Sequence, residues 1–370
     1  MKIAILTSSR ADYGILYPLI SKLESDNFFD VDIIAFGSHL SKISCKTKSL
    51  ILKDRFNIKY SLNTSPPSDN PLDISNSIAN TIKKFSIIWK KESYDLIIVL
   101  GDRYEIFAAC TSSIPFNVKI AHIHGGETTL GAIDNSFRNS ITQMASIHFT
   151  AAEKYKNRVI ELKNSNTNVY NTGSLSIDNL KKMKLLSKRD FLKKFKIDLS
   201  IPTILITFQP ETVDFEKNKK YVSILKDTLS ELKNFQLVIT MPNEDTMGLY
   251  IRRKLENFIK QNPNAIKVET FGTLGYLSCM KHCQMMLGNT SSGFIEASFF
   301  SKYVINLGKR QNGRIITSNI RSVEIDKIKI LAAVKSFSKY KKDKYNGIYG
   351  NGRTAEKIIS IIKKNAKESK

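Results

Sequence analysis

The sequence has no apolar run approaching the 18 or more residues of a membrane-spanning helix, and its four cysteines stand at no framework spacing. The first absence excludes a helical membrane protein. The second excludes a disulfide-stapled secreted module and predicts a reduced, cytoplasmic setting. Acidic residues are scarce, 34 against 57 Lys plus Arg in 370 residues, which leaves a formal net charge of +23. Yet only 25% of residues are charged and 42% are hydrophobic, so this is no disordered polycation. The opening Met1-Lys2 and Ile3-Ala4-Ile5-Leu6, followed by Ser9-Arg10-Ala11-Asp12, is too short in its apolar part for a secretory leader and has no small-residue cleavage site. Missing too are a helix-turn-helix signature, a zinc spacing and an aromatic-basic ribonucleoprotein motif. The lysines come singly or in pairs, such as Lys83-Lys84, Lys193-Lys194 and Lys363-Lys364, as on solvated helix faces. Neither nucleic acid nor membrane is an expected partner.

What is present is an alternation of short apolar runs with amphipathic stretches, the pattern of parallel sheets covered by helices. Strands are expected at Lys2 to Leu6, Val31 to Phe36, Leu96 to Leu100, Lys119 to Ile123, His148 to Thr150 and Val169 to Asn171. After a basic amphipathic stretch, Lys181 to Lys196, and the break Ser200-Ile201-Pro202, the alternation resumes with strands at Thr203 to Phe208, Gln236 to Met241, Ile266 to Glu269, Met285 to Leu287 and Tyr303 to Leu307. A helix is expected from Gly293. The expected fold class is α/β: two Rossmann-like α/β/α domains, residues 1–180 and 200–345, facing across a cleft, with helix 354–367 packing back on the first. Ligands of such folds bind beyond the carboxyl ends of the strands.

The polar residues collect at those ends. Strand one runs out in Thr7-Ser8-Ser9-Arg10-Ala11-Asp12-Tyr13-Gly14, where backbone amides and Arg10 suit phosphate oxygens, or make an ordinary strand-to-helix turn. Gly101-Asp102-Arg103 sets Asp102 either as a reactive carboxylate or as the N-cap of the next helix. His122-Ile123-His124-Gly125-Gly126-Glu127 brings two imidazoles and a carboxylate to the same rim; in a strand His122 and His124 share a face, so a metal pair is conceivable, but no third ligand has suitable spacing. Asp134 and Arg138 stand one helical turn apart and can address one site together. In the second half, Gly288-Asn289-Thr290-Ser291-Ser292-Gly293-Phe294-Ile295-Glu296-Ala297 reads as a phosphate cradle with a carboxylate placed for ribose hydroxyls or for the helix dipole. Gly308-Lys309-Arg310-Gln311-Asn312-Gly313-Arg314 adds guanidinium groups. Cations on one side and carboxylates on the other suit a nucleoside diphosphate ligand and acid/base chemistry on what it carries.

In this order, and over nearly the whole chain, these motifs together with Thr172-Gly173-Ser174 resemble the UDP-N-acetylglucosamine 2-epimerases, in particular the hydrolysing branch that serves sialic and legionaminic acid synthesis. The resemblance implies a glycosyltransferase-B-like architecture, with UDP held by Ser291, Ser292, Gly293 and Glu296, and Arg10, Arg138 and Arg314 as its cationic contacts. It implies elimination of UDP across C1 and C2 to a 2-acetamidoglucal, then hydration that releases the free 2-epimer, with Asp102, Glu127, Asp134 and His124 as acid/base candidates. No metal and no cofactor is required. The implied partners are the UDP-sugar and UDP, and the implied assembly is a homodimer or homotetramer.

Three positions depart from the family pattern: His124 where a glutamate is frequent, Asn139 where a histidine is frequent, and Gln209 where a histidine precedes proline. Glutamine hydrogen-bonds but carries no proton near neutral pH, so the route through Gln209 is altered. Three readings remain open: the epimerase acting on UDP-N-acetylglucosamine or on UDP-2,4-diacetamido-2,4,6-trideoxyglucose, a UDP-sugar glycosyltransferase of the same fold, and a UDP-sugar sensor without turnover.

Overall fold

The computed structural model describes residues 1–41, 47–243 and 245–368; Cys45 lies outside them. The chain forms two compact units, one of Met1–Glu127, Asp134–Lys182 and Ile348–Lys370, the other of Thr128–Ile133 and Met183–Gly347.

The first unit is built on a parallel sheet of β1 (Lys2–Thr7), β2 (Asp30–Phe36), β3 (Ile58–Leu62), β4 (Leu96–Leu100), β5 (Ile120–Ile123), β6 (Ile147–Thr150) and β7 (Val169–Asn171), in the order β3-β2-β1-β4-β5-β6-β7. Its central strands are apolar on both faces because helices cover both. Ile3 and Ile5 of β1 pack with Leu16, Leu19 and Leu23 of helix Arg10–Glu24 and with Ala355, Ile358 and Ile362 of helix Thr354–Glu368. Ala4 and Leu6, pointing the other way, pack with Phe85, Ile88 and Trp89 of helix Pro71–Lys91 and with Ile106 and Ala109 of helix Tyr104–Ser113. Buried Asp178 ties down the start of the returning helix, accepting from Thr354 N at 2.9 Å and Ala355 N at 2.8 Å.

The second unit repeats the design with β8 (Thr203–Thr207), β9 (Gln236–Thr240), β10 (Ala265–Val268), β11 (Met285–Gly288), β12 (Tyr303–Leu307) and β13 (Ile320–Val323), ordered β10-β9-β8-β11-β12-β13. Ile204 and Ile206 meet Val222, Leu225, Leu229, Ile251 and Leu255 on one face. Leu205 meets Phe191, Cys279 and Met280 on the other. In each sheet the strand order reverses beside the first strand, between β1 and β4 and between β8 and β11. That is where the loops diverge and a ligand finds room. No helix among the described residues is long and apolar enough to cross a membrane.

The structure corrects several expectations. β3 and β13 were not anticipated; both are sheet edges, and Ile-Lys-Tyr-Ser-Leu and Ile-Arg-Ser-Val lack the continuous apolar run of a central strand. Within the basic amphipathic stretch Lys181 to Lys196 the helix Leu175–Lys182 ends and the helix Lys188–Phe195 begins, started by Ser187, whose hydroxyl accepts from Asp190 N. The helix expected from Gly293 is a 3-10 turn, Ser291–Gly293, followed by the short helix Glu296–Phe299.

Gly288 closes β11 at φ +148°, and a Cβ there would lie 1.9 Å from the Thr207 carbonyl oxygen on β8. Gly288→Ala must therefore push two paired strands apart. A loss of more than about 2 kcal/mol in denaturant unfolding is expected, and unchanged stability would show that the sheet yields freely there.

Candidate active site

The carboxyl edge of the first sheet carries the acidic candidates. Asp102 is not an N-cap: that place is taken by Arg103, without a side-chain bond. Asp102 instead pairs with the Nη2 of Arg138, which is 2% exposed, while Arg138 Nη1 donates to the Glu127 carbonyl at 2.9 Å. A buried guanidinium so committed fixes the carboxylate's direction, and Asp102 keeps 21% of its side chain exposed. Arg138 thus stands behind Asp102 as its holder, whereas the spacing with Asp134 suggested a shared anion contact. Asp134 opens the helix Asp134–Met144 and is half-buried.

The two histidines do not share a face. β5 ends at Ile123, and His124 takes φ +65°, which turns its ring away from the strand's alternation. His122 bonds Gly101 O at 2.7 Å and Thr142 Oγ1 at 3.2 Å. His124 Nδ1 lies 3.1 Å from Glu127 Oε1, and its Nε2 lies 3.2 Å from Ser174 Oγ. The ring is thus set between a carboxylate on one side and a hydroxyl on the other. Both residues are buried, a Ser–His–Glu relay in which Ser174 is a member that spacing alone did not reveal. No group of three His, Cys, Asp or Glu among the described residues is arranged to hold a metal ion.

At the end of β1 the backbone amides are occupied. Asp12 accepts from Ser8 N at 2.9 Å and from Ser9 N at 3.1 Å, and also from Thr7 Oγ1 and Ser8 Oγ. The phosphate site expected of those amides is therefore filled by a resident carboxylate. Only the capping-box spacing Ser9 to Asp12 signalled this. Arg10, half-buried at the first helical position, keeps its place on the rim of this turn.

In the second unit the rim segments are stitched by one buried residue. Asn289 accepts from Gln209 N at 2.7 Å, donates to Gln209 O at 2.8 Å, and offers its own carbonyl to Gln311 Nε2 at 2.8 Å. Gln209 Oε1 accepts from Asn243 N at 2.9 Å, which leaves the amide its NH2 group, a donor that cannot shuttle a proton. Ser292 Oγ is fixed by Tyr276 OH at 2.6 Å, itself backed by Thr207 Oγ1 at 3.5 Å and Thr240 beyond it. Burial pushes the Tyr276 hydroxyl up to about 12, so it stays a protonated partner. Ser291, Gly293 and Glu296 follow in the 3-10 turn and the first residue of the next helix. Arg314 is buried, with Nε donating to Gln311 Oε1 at 2.5 Å. Cys279 and Cys283 are buried core residues, and His282 between them bonds the Leu186 carbonyl.

The family model described as UDP-N-acetylglucosamine 2-epimerase matches residues 21–363. The chain belongs to this family. It is an enzyme of UDP-sugar 2-epimerisation, as its ordered motifs lead one to expect. The chain is 35% identical over 326 residues to the GDP/UDP-N,N'-diacetylbacillosamine 2-epimerase (hydrolyzing) of Campylobacter jejuni, covering 88% of this chain and 85% of that one. It is 31% identical over 334 residues to the polysialic acid biosynthesis protein P7 of Escherichia coli, covering 90% and 85%. In fold it is similar to the crystal structure of UDP-GlcNAc 2-epimerase from Neisseria meningitidis bound to UDP-GlcNAc, with TM-score 0.83, 18% identity, and coverage of 98% and 100%. That likeness extends over both parallel sheets and their flanking helices.

Burial lowers His122 to about 4 and His148, its register neighbour on β6, to about 3. In the unfolded chain both titrate near 6.5, so below that pH the unfolded state binds more protons and folding weakens as pH falls. Unfolding free energy measured in urea is expected to drop between about pH 6.5 and 4 by up to about 1.4 kcal/mol per pH unit per histidine. His148→Phe should flatten that slope; an unchanged slope would mean that His148 is charged in the native protein.

Proposed function

We propose that the chain is a hydrolysing UDP-sugar 2-epimerase. A carboxylate removes the proton at C2 of the sugar, the C1–O bond breaks, and UDP departs with the electron pair to leave a C1=C2 double bond. Water then adds, its oxygen to C1 and a proton to C2 on the opposite face, and the free 2-epimer is released. The observation that carries this reading is the pair of differently held acids in the first unit, Asp102 on Arg138 and Glu127 on His124. One carboxylate, aimed by a guanidinium and partly exposed, suits proton abstraction. A buried Ser–His–Glu relay suits proton return. Asp134 is a further candidate at the start of its helix.

For the nucleotide, Ser291, Ser292 and Gly293 offer the cradle, Glu296 the ribose contact, and Arg10 and Arg314 the charge that stabilises departing diphosphate. Gln209 binds and orients. The scheme calls for no metal or organic cofactor. Two sugars fit the reaction. UDP-N-acetylglucosamine is the simpler substrate. The 35% identity to a relative named for N,N'-diacetylbacillosamine favours UDP-2,4-diacetamido-2,4,6-trideoxyglucose.

Proton NMR in deuterated water, with each sugar nucleotide in turn, tests the reading. Free 2-epimer carrying deuterium at C2, together with UDP, is expected without any acceptor. Transfer only in the presence of an acceptor would make the chain a glycosyltransferase, and tight binding without turnover would make it a sensor. Asp102→Asn should abolish turnover and spare UDP binding. Glu296→Ala should weaken UDP binding by about 1.5–3 kcal/mol, the worth of hydrogen bonds to a charged group; an unchanged affinity by calorimetry would remove Glu296 from the ribose site.

A further inference from the structure

Glu211 is 3% exposed, yet its carboxylate serves none of the steps above. Its Oε1 accepts from Lys309 N at 2.7 Å and from Arg310 N at 3.2 Å, two successive amides of the turn after β12. Such paired amides form the concavity that phosphates occupy in many proteins. Here a resident carboxylate fills it. Gly308, at φ +70°, makes the fit possible, since a Cβ there would stand 2.4 Å from the same oxygen. The backbone of Glu211 is clamped by the fully buried Asn218, whose side chain accepts from Glu211 N at 3.0 Å and donates to Glu211 O at 2.8 Å.

The next residue points its bonds elsewhere. Thr212 N donates to Gly131 O at 3.1 Å, and Thr212 Oγ1 accepts from Ile133 N at 2.9 Å. Gly131 and Ile133 belong to the segment Thr128–Ile133, which follows Glu127 and precedes Asp134 in sequence while packing as part of the second unit. Leu130 N donates to Asn312 O, so this strap is held from the arginine-bearing turn as well.

We propose that Glu211 and Thr212 form a two-way clip of positioning residues: Glu211 sets the Gly308–Arg314 turn so that the Arg314 guanidinium, not backbone amides, meets the diphosphate, and Thr212 sets the strap that leads into Asp134. This rests on the UDP-sugar reading above. Glu211→Ala leaves two amides without an acceptor and lets the turn relax, while Glu211→Gln keeps the accepting oxygen and the fold.

Calorimetry with UDP and with uridine, which lacks the diphosphate, reads the first half of the clip. Glu211→Ala is expected to lower UDP affinity at least about tenfold with uridine affinity unchanged, and Glu211→Gln to restore most of it. An equal loss for both ligands, or none, would reduce Glu211 to a purely structural role and overturn the assignment. Steady-state kinetics read the second half. Thr212→Val is expected to lower kcat with KM unchanged, and a rise in KM alone would break the link to the strap. A native chain that binds UDP but releases no epimer sinks the functional reading and the Thr212 half with it, while the binding comparison still decides Glu211. A native chain that binds no UDP overturns both.

Discussion

Carboxylates that bind the protein's own backbone are the constraint on which the rest of both rims depends. Asp12 closes the turn after β1 on two amides, and Glu211 closes the turn after β12 on two more. Parallel sheets deliver all their strand ends to one edge, and that edge gathers unpaired N–H groups whose solvation is lost when loops pack. Filling them internally satisfies the backbone. It also withdraws the amides of Ser8, Ser9, Lys309 and Arg310 from what a ligand can use, and leaves the guanidinium and hydroxyl side chains of the rims in greater need of support.

That support is visible at every candidate group. Arg138 is buried and spent on Asp102 and the Glu127 carbonyl, so the carboxylate it holds is aimed without being engulfed. His124 is oriented from both sides, by Glu127 and by Ser174. Ser292 is at the end of a hydroxyl chain through Tyr276, Thr207 and Thr240, and Gln209 is held by Asn289 through its backbone and by Asn243 through its amide. Pre-orientation of this kind is how a site avoids reorganising during the reaction.

The two sheets were legible because their central strands are continuous apolar runs such as Leu96–Leu100, and because the polar motifs sit where those runs stop. The edge strands β3 and β13 were not, since their half-exposed residues carry too little apolar signal. Which residues stand at the rim was also readable, but their partners were not. Nothing in the spacing of Asp102 and Arg138 discloses that one holds the other across 36 positions, and the strand periodicity that placed His122 and His124 on one face fails once His124 adopts a positive φ. Asn289, Glu211 and Ser174 lie far in sequence from what they bind, and long-range pairing leaves no local pattern. For Asp12 a local signal does exist, the three-residue spacing from Ser9 that suits a capping box.

The return of helix Thr354–Glu368 to the first unit has a bearing on how the protein is made. Ala355, Ile358 and Ile362 complete the face of the first sheet formed by Ile3 and Ile5, yet they are synthesised only after the whole of Met183–Gly347. During translation the N-terminal sheet therefore waits with an open apolar flank while the second unit has every strand it needs. The part of the molecule that starts first is the part that finishes last, and the exposed flank makes that interval the one in which a nascent chain most depends on being shielded from its neighbours.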